Sequence, residues 1–156
     1  MKDNKIITGL FTLFLIISFA SCELETSDNG DLDGFWHLIR IDTLSTGGSS
    51  DLSEVRRFWA VQHKLINMRD ADQDALGVYC RFEHKGDSLH VYQPYFNHWH
   101  QDQGDDGGDI PISEECSDTL KMYGLSGLST WFKIDQLTGS RMILTSKDKR
   151  LFFKKQ

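Results

Sequence analysis

Residues 76–95 decide the fold, and they read LGVYCRFEHKGDSLHVYQPY. Apolar and polar side chains alternate along both halves of this stretch, as they do along strands that bury only one face. Lys85-Gly86-Asp87 separates the two halves, and its glycine accepts the positive φ that short hairpin turns need. The stretch therefore predicts an antiparallel hairpin, with strands at 76–84 and 88–95.

Strand patterns continue on both sides of this hairpin. Apolar and aromatic residues alternate with polar ones at 34–43, 130–135, 141–146 and 150–155. A longer run at 55–68 predicts a strand that bends or carries a bulge. Six to eight strands joined mostly by short turns predict an all-β fold. The expected architecture is an antiparallel meander that is closed into a barrel or folded as a sandwich.

Four segments between these strands are of other kinds. A Ser/Gly-rich loop is expected at 45–50 and a polar, Gly-rich surface loop at 97–109. The segments 110–112 and 120–125 fit either short strands or a helical turn, and the sequence leaves both alternatives open.

The first and last strands resemble those of a known family. Gly34-Phe35-Trp36 resembles the Gly-x-Trp motif on the first strand of lipocalins. The stretches at 120–125, 131–134, 141–144 and 151–154 are similar to small lipocalin-like lipoproteins of Bacteroidota, and the resemblance spans most of residues 33–155. It implies a lipocalin-like, calycin-type β-barrel over residues 34–156, without an established activity.

Lipocalins also place an arginine near the last strand, across the barrel end from the motif tryptophan. The resemblance implies that an arginine stacks on Trp36 here. Arg150 is the candidate and Arg141 is its rival.

The N-terminus carries an export signal. Lys2 and Lys5 precede an uncharged apolar run at 6–19, which is too short to span a bilayer comfortably and fits the apolar region of a signal peptide. Phe19-Ala20-Ser21-Cys22 resembles the lipobox of bacterial lipoproteins. This resemblance implies removal of residues 1–21 and acylation of Cys22, including palmitate-type chains. An ordinary secretory cleavage site beside a cysteine is the alternative.

Residues 22–33 are acidic and mostly small, which predicts a flexible tether between the lipid and the domain. Their acidic character also resembles the surface-export signals of Bacteroidota lipoproteins, although a plain solvated linker explains it equally well. The expected location is the cell envelope, with the protein lipid-anchored to the outer membrane on its periplasmic side or at the cell surface.

The charge balance argues against nucleic acid as a partner. Without residues 1–21 the chain has 15 basic and 22 acidic residues, a net charge of −7. An acidic domain repels phosphate backbones, so no nucleic-acid binding is expected. The 135 residues that remain fit one domain, and we expect a monomer whose main partner is the lipid bilayer.

Metal-binding and cysteine patterns are weak. Four histidines lie close together in the sequence, but no spacing fixes a third metal ligand beside any pair of them; they are His84, His90, His98 and His100. The acidic loop at 102–109 lacks the glutamate that closes an EF-hand calcium loop. No metal and no other cofactor is therefore expected. In an oxidising compartment Cys80 and Cys116 either form a disulfide or remain two separate buried thiols.

Two functions fit this fold, and neither is enzymatic, because the sequence has no nucleophile elbow, phosphate loop or dinucleotide fingerprint. The first is binding of a small hydrophobic ligand in the barrel. The predicted cavity lining is Trp36, Val78, Phe82, Leu89 and Val91. The alternative is an accessory or interaction lipoprotein of the cell envelope, whose barrel is filled by side chains and holds no small molecule.

Overall fold

The computed structural model describes residues 27–73, 77–97 and 110–156 of the protein. Within these ranges no helix is long and apolar enough to cross a membrane. The strands are β1 (Gly34–Thr43), β2 (Gly48–Asp51), β3 (Arg57–Gln62), β4 (Leu65–Asp70), β5 (Val78–Lys85), β6 (Ser88–Phe96), β7 (Ile110–Pro111), β8 (Ser129–Leu137), β9 (Arg141–Thr145) and β10 (Lys149–Lys155). The short helix α1 is Asp118–Lys121, and single 3₁₀ turns are at Gly30–Leu32 and Glu114–Cys116.

Eight of these strands form a closed antiparallel barrel. Their order is β10-β9-β8-β6-β5-β4-β3-β1, and pairing of β10 with β1 completes the ring. The two short strands β2 and β7 lie outside it, each paired with one barrel strand, β1 and β6 respectively. The predicted all-β lipocalin-like barrel is confirmed.

The hairpin predicted from 76–95 is formed by β5 and β6. Phe82 pairs with Val91, and His84 pairs with Leu89, on the two sides of the turn at Gly86. Inward and outward side chains alternate along β5, and along β6 as far as Tyr92, as the sequence predicts. Gln93 then adopts a φ of 48° at an irregularity in the pairing, and the buried position moves to Pro94.

The run at 55–68 is two strands rather than one bent strand. β3 ends at Gln62 and β4 begins at Leu65, with a tight turn through His63 and Lys64. His63 adopts a φ of 54°, a left-handed conformation that usually selects glycine or asparagine. The turn contains no glycine or proline, so the usual sequence signals of a turn are missing.

Three of the segments between the predicted strands contain short strands or part of a helix. The stretch at 45–50, predicted as a loop, contributes its last residues to β2. Of the two segments left open, 110–112 contributes the short strand β7, and 120–125 begins within α1. Most of the loop predicted at 97–109 lies outside the described residues.

The predicted tether ends earlier than expected. Residues 22–33 were expected to be a flexible linker, but the turn Gly30–Leu32 packs on the barrel and Leu32 is completely buried. Asn29 Nδ2 also donates hydrogen bonds to the Asp33 carboxylate and to the His63 carbonyl, both at 2.7 Å. The acidic composition of this stretch concealed one apolar residue that belongs to the core.

Candidate functional site in the barrel

All five side chains of the predicted cavity lie inside the barrel. Trp36 and Leu89 have no exposed surface, Val78 and Val91 are 1% exposed, and Phe82 is 4% exposed. A void large enough for water beside these groups would itself give them accessible surface. The five residues therefore pack against their neighbours in one continuous core of buried apolar side chains. Phe82 also borders an open groove of about 380 Å³, whose other walls include Lys64 and Tyr92.

Three aromatic rings occupy the middle of this core. Trp59 packs edge-on against Phe132, with ring centroids 6.1 Å apart, and in a tilted arrangement against Phe153 at 5.0 Å. Such edge and tilted contacts are the geometries that aromatic quadrupoles favour. The rings fill the interior with rigid groups, because each has only two rotatable side-chain bonds.

The Trp59 indole N–H is an unsatisfied hydrogen-bond donor. The indole is completely buried, and its Nε1 has no hydrogen-bond acceptor among the described residues. A buried donor without a partner costs about 1–3 kcal/mol. This N–H is the polar group in the barrel centre that a bound water or the acceptor of a ligand would satisfy.

The N-terminal end of the barrel is closed around Trp36. Its Nε1 donates a 2.7 Å hydrogen bond to the Leu32 carbonyl, which joins β1 to the 3₁₀ turn that precedes it. Lys155 Nζ lies 4.8 Å from the centre of the Trp36 ring and donates to the Asp31 carbonyl at 2.9 Å. Gly34 leaves room for this lysine, since a Cβ there would lie 2.5 Å from Lys155 Cε.

The cation over Trp36 is therefore a lysine and not the expected arginine. Arg150 lies at the opposite end of β10, where it contacts the Asp135 carboxylate at 3.5 Å and donates to Thr145 Oγ1 at 3.0 Å. Arg141 pairs across the strands with Lys154 and is exposed. Both arginines are excluded by where their strands place them.

The other end of the barrel is closed by residues 112–125, which we call the plug. Four of its apolar side chains join the barrel core and are at most 5% exposed; they are Ile112, Leu120, Tyr123 and Leu125. Met122 packs against this core and is partly buried. Gly124 sits against the last strand with a φ of +91°, and a Cβ there would lie 2.6 Å from Leu151 Cδ2. The plug therefore fills the space through which an apolar ligand would enter.

A buried ion pair holds the plug. Arg57 Nη2 contacts Asp70 Oδ2 at 2.8 Å, and these side chains are only 13% and 2% exposed. Arg57 Nη1 donates a 3.0 Å hydrogen bond to the Met122 carbonyl of the plug. Burial raises the pKa of the Tyr123 phenol, and the nearby Asp70 carboxylate raises it further. Tyr123 therefore stays protonated at neutral pH beside this carboxylate.

The two cysteines are unbridged in the structure. Cys80 is buried in β5, where desolvation raises the pKa of its thiol to about 12. Cys116 is exposed, in the 3₁₀ turn Glu114–Cys116. Of the two alternatives that the sequence leaves open, the structure has two separate thiols, of which only Cys80 is buried.

Of the histidines that the sequence raises as metal ligands, His84 has a local structural contact. His84 Nε2 lies 3.1 Å from the Gly86 carbonyl within the β5–β6 hairpin. His98, His100 and the acidic loop at 102–109 lie outside the described residues. In the part of the chain that is described, no three histidine, cysteine or acidic side chains form a group that would hold a metal ion.

The outer wall carries a feature that the sequence interpretation missed. Trp131 on β8 is 61% exposed, and its ring is parallel to that of His90 on β6, with centroids 4.0 Å apart. The other side of His90 stacks on Tyr92 at 4.8 Å, and His90 Nε2 lies 2.8 Å from Ser129 Oγ. We call Trp131, His90 and Tyr92 the aromatic stack.

The alternation of exposed and buried residues along β8 indicates that Trp131 faces outward. Trp131 has the same phase as the exposed Lys133, whereas Thr130 and Phe132 point inward. This phase places the Trp131 side chain outside the barrel, where it neither lines nor fills the interior.

Comparison with known proteins agrees with this geometry. A family model described as a lipocalin-like domain matches residues 15–156. A crystal structure of a lipocalin-like protein from Bacteroides uniformis is 19% identical, covers 81% of this chain and 100% of its own, and has a TM-score of 0.57. An uncharacterised protein from Bacteroides eggerthii is 18% identical, with coverages of 80% and 98% and a TM-score of 0.56. Among curated proteins none matches the chain.

The ion pair behind the plug makes a measurable contribution to stability. Replacing Asp70 with Asn leaves the largely buried Arg57, whose side chain is 13% exposed, without its counter-charge, and we expect a loss of about 3 kcal/mol in the free energy of unfolding. Glu83→Gln is the matched control, because it breaks the exposed Glu83–Lys85 pair, whose contacting atoms are 3.1 Å apart. That change should cost less than about 1 kcal/mol. Urea unfolding followed by tryptophan fluorescence measures both, and equal losses would contradict the structural role of the buried pair.

Proposed function

The chain belongs to the lipocalin-like domain family, and from this premise we propose that it is a lipid-anchored protein of the cell envelope that binds a partner on the outer wall of its barrel. Proteins of this fold are typically binding proteins rather than enzymes, and the proposal contains no chemical reaction. The barrel acts as a rigid support, and the aromatic stack is its recognition surface.

The filled interior carries this proposal. An eight-stranded barrel is only wide enough either to pack its own side chains or to hold one small ligand. Here the five residues predicted to line a cavity are at most 4% exposed, and Trp59, Phe132 and Phe153 occupy the centre. A hydrophobic molecule would have to displace side chains that already pack as a core.

The aromatic stack supports binding on the outside. Trp131 is 61% exposed, and tryptophan and tyrosine are enriched among the residues that carry most of the binding energy at protein interfaces. Stacking on His90, which itself stacks on Tyr92, orders the Trp131 ring before binding, so little side-chain entropy is lost when a partner docks. The neighbouring Arg81, which pairs with Tyr92 across β5 and β6, supplies a polar rim.

The cellular location in this proposal comes from the sequence. An uncharged apolar run that ends in Phe19-Ala20-Ser21-Cys22 supports export and acylation of Cys22. Several acyl chains would give stable attachment, since each buried methylene contributes about 0.8 kcal/mol. The protein would then meet its partner at a membrane surface.

A second candidate function is binding of a small hydrophobic ligand, and the unpaired Trp59 N–H favours it. A ligand with one acceptor atom would satisfy that donor in the barrel centre. Entry would require the plug to leave, which breaks the hydrogen bond from Arg57 to Met122 and exposes the buried plug side chains to water.

Cross-linking in cells tests the proposed surface. A benzoylphenylalanine at position 131 should give discrete cross-links to another envelope protein, because the aromatic stack is the contact. The matched control is position 121 on α1, since the Lys121 side chain is 60% exposed but lies on the plug. Equal cross-linking patterns at 131 and 121, or none at 131, would contradict the proposed surface.

Ligand titration separates the two candidate functions. We expect no saturable response when the purified protein is titrated with fatty acids, sterols or a polarity-sensitive dye and tryptophan fluorescence is followed. Trp59→Phe is the control that keeps an aromatic ring and removes the unpaired N–H. Saturable binding by the wild type that weakens in folded Trp59→Phe would establish the interior site instead.

A further inference from the structure

The structure shows where the tether meets the barrel. Ser27 lies at the side of a groove of about 470 Å³ whose other walls are formed by the start of β1 and the end of β3, including Phe35, Ala60 and His63. The hydrogen bond from Asn29 Nδ2 to the His63 carbonyl fixes the chain at the β3–β4 turn. We call this end of the barrel the anchored end, and it lies opposite the plug.

The remaining chain between this point and the proposed lipid is short. Five residue steps separate Cys22 from Ser27, and a fully extended chain covers about 3.3–3.6 Å per step, so the reach is at most roughly 18 Å. By comparison, the nine residue steps of β1 span roughly 30 Å from end to end. A protein held through Cys22 therefore keeps its anchored end near the headgroups, whatever the path of residues 22–26.

The surface at the anchored end is suited to lipid. Phe35 and Leu65 are each 45% exposed, on strands that flank β3 on either side. Phe35 is ordered by stacking on Phe58, with ring centroids 4.5 Å apart. Lys64 precedes Leu65 in the turn, and a lysine beside exposed apolar groups can extend its charged head toward lipid phosphates.

We propose that this surface, formed by Phe35, Ala60, Lys64 and Leu65, rests in the headgroup region of the bilayer. The barrel then stands on its anchored end, and the plug points away from the membrane. This inference depends on the lipid anchor of the proposed function, because the anchor is what brings this end to the bilayer. It adds a defined orientation, which a tether alone does not specify.

The chain offers a matched pair of positions for the test. Leu65 and Leu44 are the same residue type with the same 45% exposure, but Leu44 follows β1 at the far end of the barrel. Leu65→Cys and Leu44→Cys are made separately in the full-length lipidated protein, in a Cys116→Ala background because Cys116 is exposed. Cys80 should not react, since burial raises the pKa of its thiol to about 12.

Each variant is labelled with a polarity-sensitive nitrobenzoxadiazole dye and reconstituted into phosphatidylcholine vesicles that contain nitroxide-labelled phosphatidylcholine. We expect the dye at position 65 to be quenched several-fold more strongly than the dye at position 44, with blue-shifted emission. Vesicle flotation, with Cys22→Ser as the unanchored control, reports the lipid anchor separately.

Three outcomes overturn the inference, and they differ in what else they remove. Flotation with equal weak quenching at both positions overturns the orientation and leaves the anchor intact. Equal flotation of the wild type and Cys22→Ser overturns the proposed role of the Cys22 anchor together with the orientation built on it. Energy transfer between dyes at position 65 on different copies, without nitroxide quenching, shows that a second copy covers this surface instead of lipid.

Discussion

Closure of the barrel by the first and last strands is the constraint on which the rest of the structure depends. β1 pairs with β10 from Trp36 opposite Lys155 to Thr43 opposite Lys149, with one irregularity between Leu38 and Arg40. Once the ring is closed, its inward-facing side chains share one interior whose width is fixed by the number of strands. Every large residue placed inside then removes space from a ligand. The same closure brings Lys155 over Trp36 and so completes the N-terminal end.

The two barrel ends are closed by different physical means. At the anchored end a 3₁₀ turn inserts Leu32, and one hydrogen bond with one cation–π contact holds Trp36. At the plug end, apolar side chains cover the interior. Arg57, which is paired with Asp70, donates a hydrogen bond to the Met122 carbonyl of the plug. A buried pair of this kind contributes little over an apolar substitute, but it penalises loss of either partner strongly. It therefore favours one position of the plug over others.

The proposed functions use the exterior of the barrel, because its interior is filled by side chains. In our proposal the interior serves stability, and recognition takes place on the outer wall and at the ends of the barrel. The aromatic stack and the surface around Phe35 and Leu65 lie on different parts of that exterior. In our proposals the first contacts a partner and the second contacts lipid, and the two need not compete.

Local alternation explains why most of the barrel could be predicted from the sequence. The strand predicted at 34–43 has the bounds observed for β1, and the hairpin of β5 and β6 follows from its alternation and its glycine turn. The turn at His63 could not be predicted, because a non-glycine residue adopts a positive φ there. The lysine over Trp36 depends on a contact between residues 119 positions apart, which no local pattern encodes.

Sequence alternation predicts the topology of the barrel, but it does not predict whether the interior is filled. Alternation shows which side chains point inward, but it does not show whether they meet. The side chains predicted to line a cavity point inward, and their packing becomes visible only when all strands are assembled; they are Trp36, Val78, Phe82, Leu89 and Val91. Volume is a sum over the whole ring, whereas a sequence pattern describes one strand at a time.

Xenon binding to crystals of the protein tests the filled interior most directly. Xenon under pressure enters apolar voids of atomic size without needing polar contacts, and dry cavities lined by aliphatic and aromatic groups take it up. The account predicts no ordered xenon among Trp59, Phe132 and Phe153, because these rings already pack together. A well-occupied xenon site enclosed by these three rings would contradict it and would show that the barrel holds space for a ligand.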